Sequence, residues 1–208
     1  MDTSRAIPET HPLHRLFRGL TEYAFMNELG IGDPSLVGYV AELLASFVPS
    51  QTLWQIRDSQ GRYLSQVTAM IAEAESAADS TRRRECHRHV GDFTLFWTGV
   101  YPEALAKLQG PSKADALVNY QQQGKRSYHL ASTLSGSSDQ GYVLRRLSDQ
   151  FELCASDCHV SGASGKSLKA KASRQGVKAG LWSYNLISRL LRFQASGAAN
   201  RGNGSHAT

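Results

Sequence analysis

Apolar positions along the chain recur at helical spacing, and no stretch longer than a few residues alternates with period two, so the pattern predicts helices and no sheet. Thr10, followed by Pro12, opens a predicted helix to Leu29 whose apolar face is Leu13, Leu16, Phe17, Leu20, Tyr23 and Ala24; Gly30 and Gly32 stop it. Asp33 as cap and Pro34 at the first helical position start the next, carrying Leu36, Val37, Val40, Leu43, Leu44 and Phe47. After a short turn and the polar run 58–61, a third helix carries Leu64, Val67, Met70 and Ile71 and frays into the polar run 72–80.

The most apolar stretch follows. From Phe93 to Tyr101 a helix would project apolar side chains in every direction, which marks a buried element. Glu85 to Tyr101 would be about 25 Å long, the width of a small domain, and too short an apolar run to span a bilayer. This central helix, about 85–101, ends where Pro102 pushes Tyr101 out of the helical region. Beyond it, Ser112 with Asp115 fits a capping box for a helix from Lys113 to Leu134. Gly124, which costs about 1 kcal/mol relative to Ala in a helix interior, implies a close backbone approach, to the small-residue side of the central helix at Thr94, Thr98 or Gly99. The last helix of the body starts near Tyr142 and carries Leu144, Leu147, Phe151 and Cys154. The expected fold is all-α: one bundle of six or seven helices over residues 10–157, after a disordered 1–9.

Charge changes the picture at the end of the chain. The net +5 of the 208 residues divides into −3 for residues 1–157 and +8 for 158–208, where eight Lys and Arg stand without one acid. A basic linker (158–180), an amphipathic helix (181–194) and a disordered tail (195–208) are expected. Nonspecific contact with nucleic acid or anionic lipid, if present, belongs to residues 158–208. The composition changes so abruptly at Ser156 that a shifted reading frame is a slightly better account than a genuine basic tail. Three cysteines and no apolar leader lead us to expect a cytoplasmic protein.

Candidate chemistry centres on the central helix. Glu85, His89, Asp92, Phe96, Gly99 and Glu103 follow alternating spacings of four and three, which puts Glu85, His89, Asp92 and Glu103 on one stripe. With Tyr120, Tyr128 or His129 from the later helix they would form a polar site inside the bundle, the kind of place where helical proteins hold metals. The Glu-x-x-His pairs of di-iron bundles are missing, however. The plainer reading makes Asp92 a buried carboxylate partnered by His89, Arg88 or a group from another helix. Cys154, Cys158 and His159 are weak metal candidates without a fourth ligand. Residues 162–167 resemble the end of a phosphate-binding loop, but Val160 stands where its first glycine is needed. Hydrolase and dinucleotide-binding signatures do not occur, and no cofactor is expected.

The blocks 11–25, 32–44, 88–103, 115–132 and 144–154 together resemble a family of uncharacterised bacterial helical proteins found mainly in planctomycetes. The resemblance covers about residues 11–155. It implies an all-helical domain with the surroundings of Asp92, Glu103, Gly124 and Tyr128 as its signature, and it implies no activity. The expected function is that of a soluble helical module acting through an unknown protein partner or self-association, with an enzyme or cofactor-binding bundle as the alternative.

Overall fold

The computed structural model describes residues 12–27, 30–47, 55–102, 105, 115–135 and 138–156. It is an all-α bundle of α1 (Pro12–Asn27), α2 (Pro34–Ser46), α3 (Val67–Ser76), α4 (Ser80–Val100), α5 (Tyr120–Leu134) and α6 (Asp139–Asp149), with residues 151–156 again helical. Helix α4 is the centre: α3 and α5 pack along it, α6 packs on α5 and α2, and α1 packs on α2. Among the described residues no helix is long and apolar enough to cross a membrane.

The end signals read from sequence hold at α2, where the Asp33 carboxylate accepts from the backbone N–H groups of Ser35 and Leu36 ahead of Pro34. They hold also at Tyr101, which leaves helical geometry (φ −136°) before Pro102. The central helix begins five residues earlier than expected, at Ser80, because Asp79 caps it by accepting from Thr81 and Arg82 N–H. From Phe93 to Val100 every side chain of α4 but Thr98 is buried. Its rings form a continuous edge-to-face cluster with α2, Phe47 meeting Phe96 at 5.0 Å and Phe96 meeting Trp97 at 5.6 Å.

Four expectations need correction, the first being that Leu64 belongs to α3, which begins only at Val67. The helix read from Lys113 begins at Tyr120, capped by Asn119, whose side chain accepts from Gln122 N–H. The Asp115 carboxylate of the expected capping box accepts from Val67 and Thr68 N–H, and its expected partner Ser112 lies outside the described residues. The final helix starts at Asp139 rather than near Tyr142, with Ser138 accepting from Gly141 N–H. Helix α1 is rotated from its expected face: Thr21, Ala24 and Phe25 are buried while Leu16 and Tyr23 are exposed. The small Thr21 and Ala24 let α2 approach closely, and one helix contact covers only part of so broad an apolar arc.

At the polar run 58–61 Asp58 organises a tight turn, accepting from Gln60 and Arg62 N–H, and Arg57 and Tyr63 form an isolated antiparallel bridge. The expected close approach of Gly124 is present: a Cβ there would lie 2.4 Å from the Phe151 ring and 2.5 Å from the Thr94 hydroxyl.

Candidate functional site

Asp92 sits where α4 turns wholly apolar, its side chain 6% exposed. Three elements supply its partners. Tyr39 of α2 and Tyr128 of α5 both donate to Oδ1, at 2.7 and 2.8 Å, and Arg88, one turn earlier on α4, reaches Oδ2 at 3.4 Å. Arg88 is held from its other side by Glu85, which accepts from Nε and Nη2 at 3.1 and 3.0 Å and also from Arg84 at 2.8 Å. The stripe is therefore a Glu85–Arg88–Asp92 ladder at spacings of three and four. Neighbouring Gly91 makes the slot for Tyr128, since a Cβ there would stand 2.6 Å from that ring. The Gly-Asp pair thus brings in the ring and binds its hydroxyl.

Burial pushes the Asp92 carboxyl up from its ordinary value, against Arg88 and the two tyrosine hydroxyls, which stabilise the charged form. The same burial, reinforced by the Asp92 charge, holds Tyr39 and Tyr128 well above the usual tyrosine range, so both remain protonated donors at neutral pH. Asp92 in turn raises Arg88, outweighing the burial of that guanidinium. Burial acts upward on Glu85 too, but there Arg88 and Arg84 win and the carboxyl is lowered. Chemically the cluster is a set of mutually paired donors and acceptors. Burial raises the proton affinity of the Asp92 carboxylate, but two hydroxyls and a guanidinium engage both of its oxygens, and its tyrosines are poor acids.

Of the other candidates, His89 lies against Phe47 and Phe93, ring centroids at 6.2 and 6.5 Å, and is not the Asp92 partner. One residue along a helix turns about 100°, so His89 and Arg88 leave α4 in different directions and Arg88 takes the place expected of the histidine. Tyr120 belongs to a second buried carboxylate: it donates to Asp115 Oδ2 at 2.9 Å. That carboxylate also accepts from Val67 N–H (2.8 Å), Thr68 N–H (3.0 Å) and the Thr68 hydroxyl (2.9 Å), capping α3 from 48 positions away. Burial and then Asp115 push the Tyr120 hydroxyl up. His129 faces Arg145, Nδ1 to Nη1 2.8 Å, and joins neither cluster. Cys154 is buried in the core, while Glu103, Cys158 and His159 lie outside the described residues. Among the described residues no three His, Cys, Asp or Glu side chains gather as a metal site.

Sequence reasoning missed Tyr39 and the true role of Asp115. Tyr39 stands three residues after Leu36 and four before Leu43, at the edge of an apolar face, which is the one signal that its hydroxyl could turn inward. Nothing near Asp115 points to donors almost fifty residues away. A cleft of about 380 Å³ opens beside the cluster, with Tyr39, Phe47, Arg88 and Asp92 in its wall and Glu42, Asp139 and Gln140 also lining it.

Comparison with family models, with curated proteins and with solved structures finds no match to the chain.

Proposed function

We propose that the protein is a helical module acting through protein contacts, with the Asp92 cluster as the strut that fixes its helices. The observation that carries this reading is the consumption of Asp92: Tyr39, Tyr128 and Arg88 occupy both of its oxygens. A buried carboxylate with both oxygens engaged, from three directions, orients the elements that bear the donors, here α2, α4 and α5. Large apolar side chains left on the surface, Tyr23 and Met26 among them, supply contact area. We place the module in the cytoplasm on its cysteine usage, and take the resemblance of residues 11–155 to planctomycete helical proteins as part of the same reading.

The second reading, a small-molecule or metal-binding bundle, is favoured by the cleft that reaches Arg88 and Asp92. Elemental analysis of the purified protein, with native mass spectrometry for a retained organic ligand, separates the two. Protein free of both supports the interaction reading; stoichiometric zinc, iron or a retained cofactor overturns it.

A further inference from the structure

The cleft beside the Asp92 cluster has a buried end and an open one. Asp92, 4% exposed, stands at the first, while Glu42 and Asp139 stand in solvent at the second. Three carboxylates thus line the cleft against one guanidinium, that of Arg88. Arg88 offsets them only in part, because Glu85 holds it from the other side by two bonds at 3.1 and 3.0 Å. Among the described residues neither Glu42 nor Asp139 has an ion pair or a side-chain hydrogen bond of its own.

The strut leaves a position open at the buried end. An ionised carboxylate has about four acceptor sites, and Asp92 receives two donors on Oδ1 but one on Oδ2. That one, Arg88 at 3.4 Å, is longer than the about 2.7 to 2.9 Å of a charge-assisted bond. The upward push of burial on the Asp92 carboxyl is in keeping with a charge not fully compensated. A buried oxygen with spare capacity in the wall of a cleft calls for a further donor, and the excess of carboxylates calls for that donor to be a cation.

The rest of the wall narrows the kind of cation. Among the described residues no three His, Cys, Asp or Glu side chains gather as a metal site, so the negative charges are too dispersed for a compact ion. The same cleft is walled by Leu43, Val143 and the rings of Tyr39 and Phe47, surfaces that suit methylene groups and, at the rings, an ammonium group. An N–H donor for Asp92, an apolar stem and a second positive charge for the two rim carboxylates together describe a linear diamine.

We propose that the cleft is a site for a free linear diamine or polyamine, one ammonium group donating to Asp92 Oδ2 and the next held by Glu42 and Asp139. This goes beyond the interaction reading and does not rest on it, since an exchangeable amine is lost on purification and leaves the protein free of retained ligand. A lysine side chain offers the same ammonium chemistry, and residues 158–208 of this chain hold four, but each brings one charge where a diamine brings two.

Isothermal titration calorimetry of the full-length chain at low ionic strength tests it, with putrescine as the diamine and butylamine as its single-charge counterpart. Saturable one-to-one binding of putrescine is expected, at least about tenfold tighter than that of butylamine. Glu42→Gln and Asp139→Asn are each expected to weaken it at least about threefold with an unchanged far-ultraviolet spectrum. Asp149→Asn, which removes an exposed carboxylate outside the cleft, leaves it as it was. In carbon-13-labelled protein the Asp92 carboxyl resonance is expected to shift with the same midpoint, which attraction to the rim alone would not produce. Replacing Lys166, Lys169, Lys171 and Lys178 with glutamine tests the source of the ammonium group. A putrescine affinity that rises by no more than about fivefold supports a free amine, whereas a larger rise means that these lysines occupy the cleft and overturns the proposal. Absence of saturable binding, equal binding of butylamine, indifference to Glu42→Gln and Asp139→Asn, or an unmoved Asp92 resonance overturns it too. Any of those failures leaves the interaction reading standing, which only the retained metal or cofactor described above removes.

Discussion

The Tyr39 hydroxyl donates to Asp92 Oδ1 at 2.7 Å across 53 positions of the chain, tying α2 to the central helix by a bond that neither local segment specifies. Breaking a buried, charge-assisted set by removing the charge leaves several donors unpaired. Asp92→Ala is expected to destabilise the protein by about 3 to 5 kcal/mol. Asp92→Asn, which keeps an acceptor, and Tyr39→Phe, which removes one donor, should each cost less, about 1 to 3 kcal/mol. Chemical denaturation of the three variants measures this. An Asp92→Ala protein as stable as its parent would remove the structural account and direct attention to the cleft.

Two glycines set the distance between α4 and α5. An added methyl at Gly91 would stand 2.6 Å from the Tyr128 ring, and one at Gly124 would stand 2.5 Å from the Thr94 hydroxyl. Gly91→Ala and Gly124→Ala are each expected to cost about 1 to 3 kcal/mol by overpacking, and Gly124→Leu more. Unchanged melting temperatures would mean that the two helices lie farther apart than described.

Asp115→Ala removes the acceptor for the first N–H groups of α3 and orphans the Tyr120 hydroxyl. The expected loss is about 2 to 4 kcal/mol, larger than for an exposed cap because the group is buried. Hydrogen exchange gives the specific readout: the amides of Val67 and Thr68 should exchange faster than those of α5. Equal protection in variant and parent would show that α3 does not depend on this carboxylate.

His87 supplies a pH dependence. It is buried, and burial first, with Arg83 and Arg126 adding to it and Glu75 opposing, lowers its pKa from the ordinary 6.5. Below pH 6.5 the unfolded chain takes up this proton more readily than the folded one, so stability is full above that value and is lost as pH falls through the window beneath it. His87→Gln should flatten the stability profile below about pH 6.5 without moving the slope at higher pH. A parent profile already flat there would refute the assignment.

The sequence by itself determined the class of fold and several of its joints. Helical spacing of apolar residues, Asp33-Pro34 and Pro102 act through local backbone geometry, so α2, the buried middle of α4 and its end at Tyr101 were readable without any partner in view. The expectation that Asp92 is a partnered, buried carboxylate and that Gly124 meets Thr94 was legible too, because an all-round apolar helix has no water to offer and a mid-helix glycine signals a close approach. Only the tertiary structure decided who the partners are. Arg88 rather than His89 reaches Asp92, Tyr39 arrives from 53 residues away, and Asp115 caps a helix it does not belong to. Those choices depend on how far each helix is rotated about its axis, and rotation follows from competition among several apolar faces for one core. Helix α1 makes the same point. Its sequence offers more apolar positions than α2 covers, and packing alone determines that Thr21, Ala24 and Phe25 turn inward and Leu16, Tyr23 and Met26 remain outside.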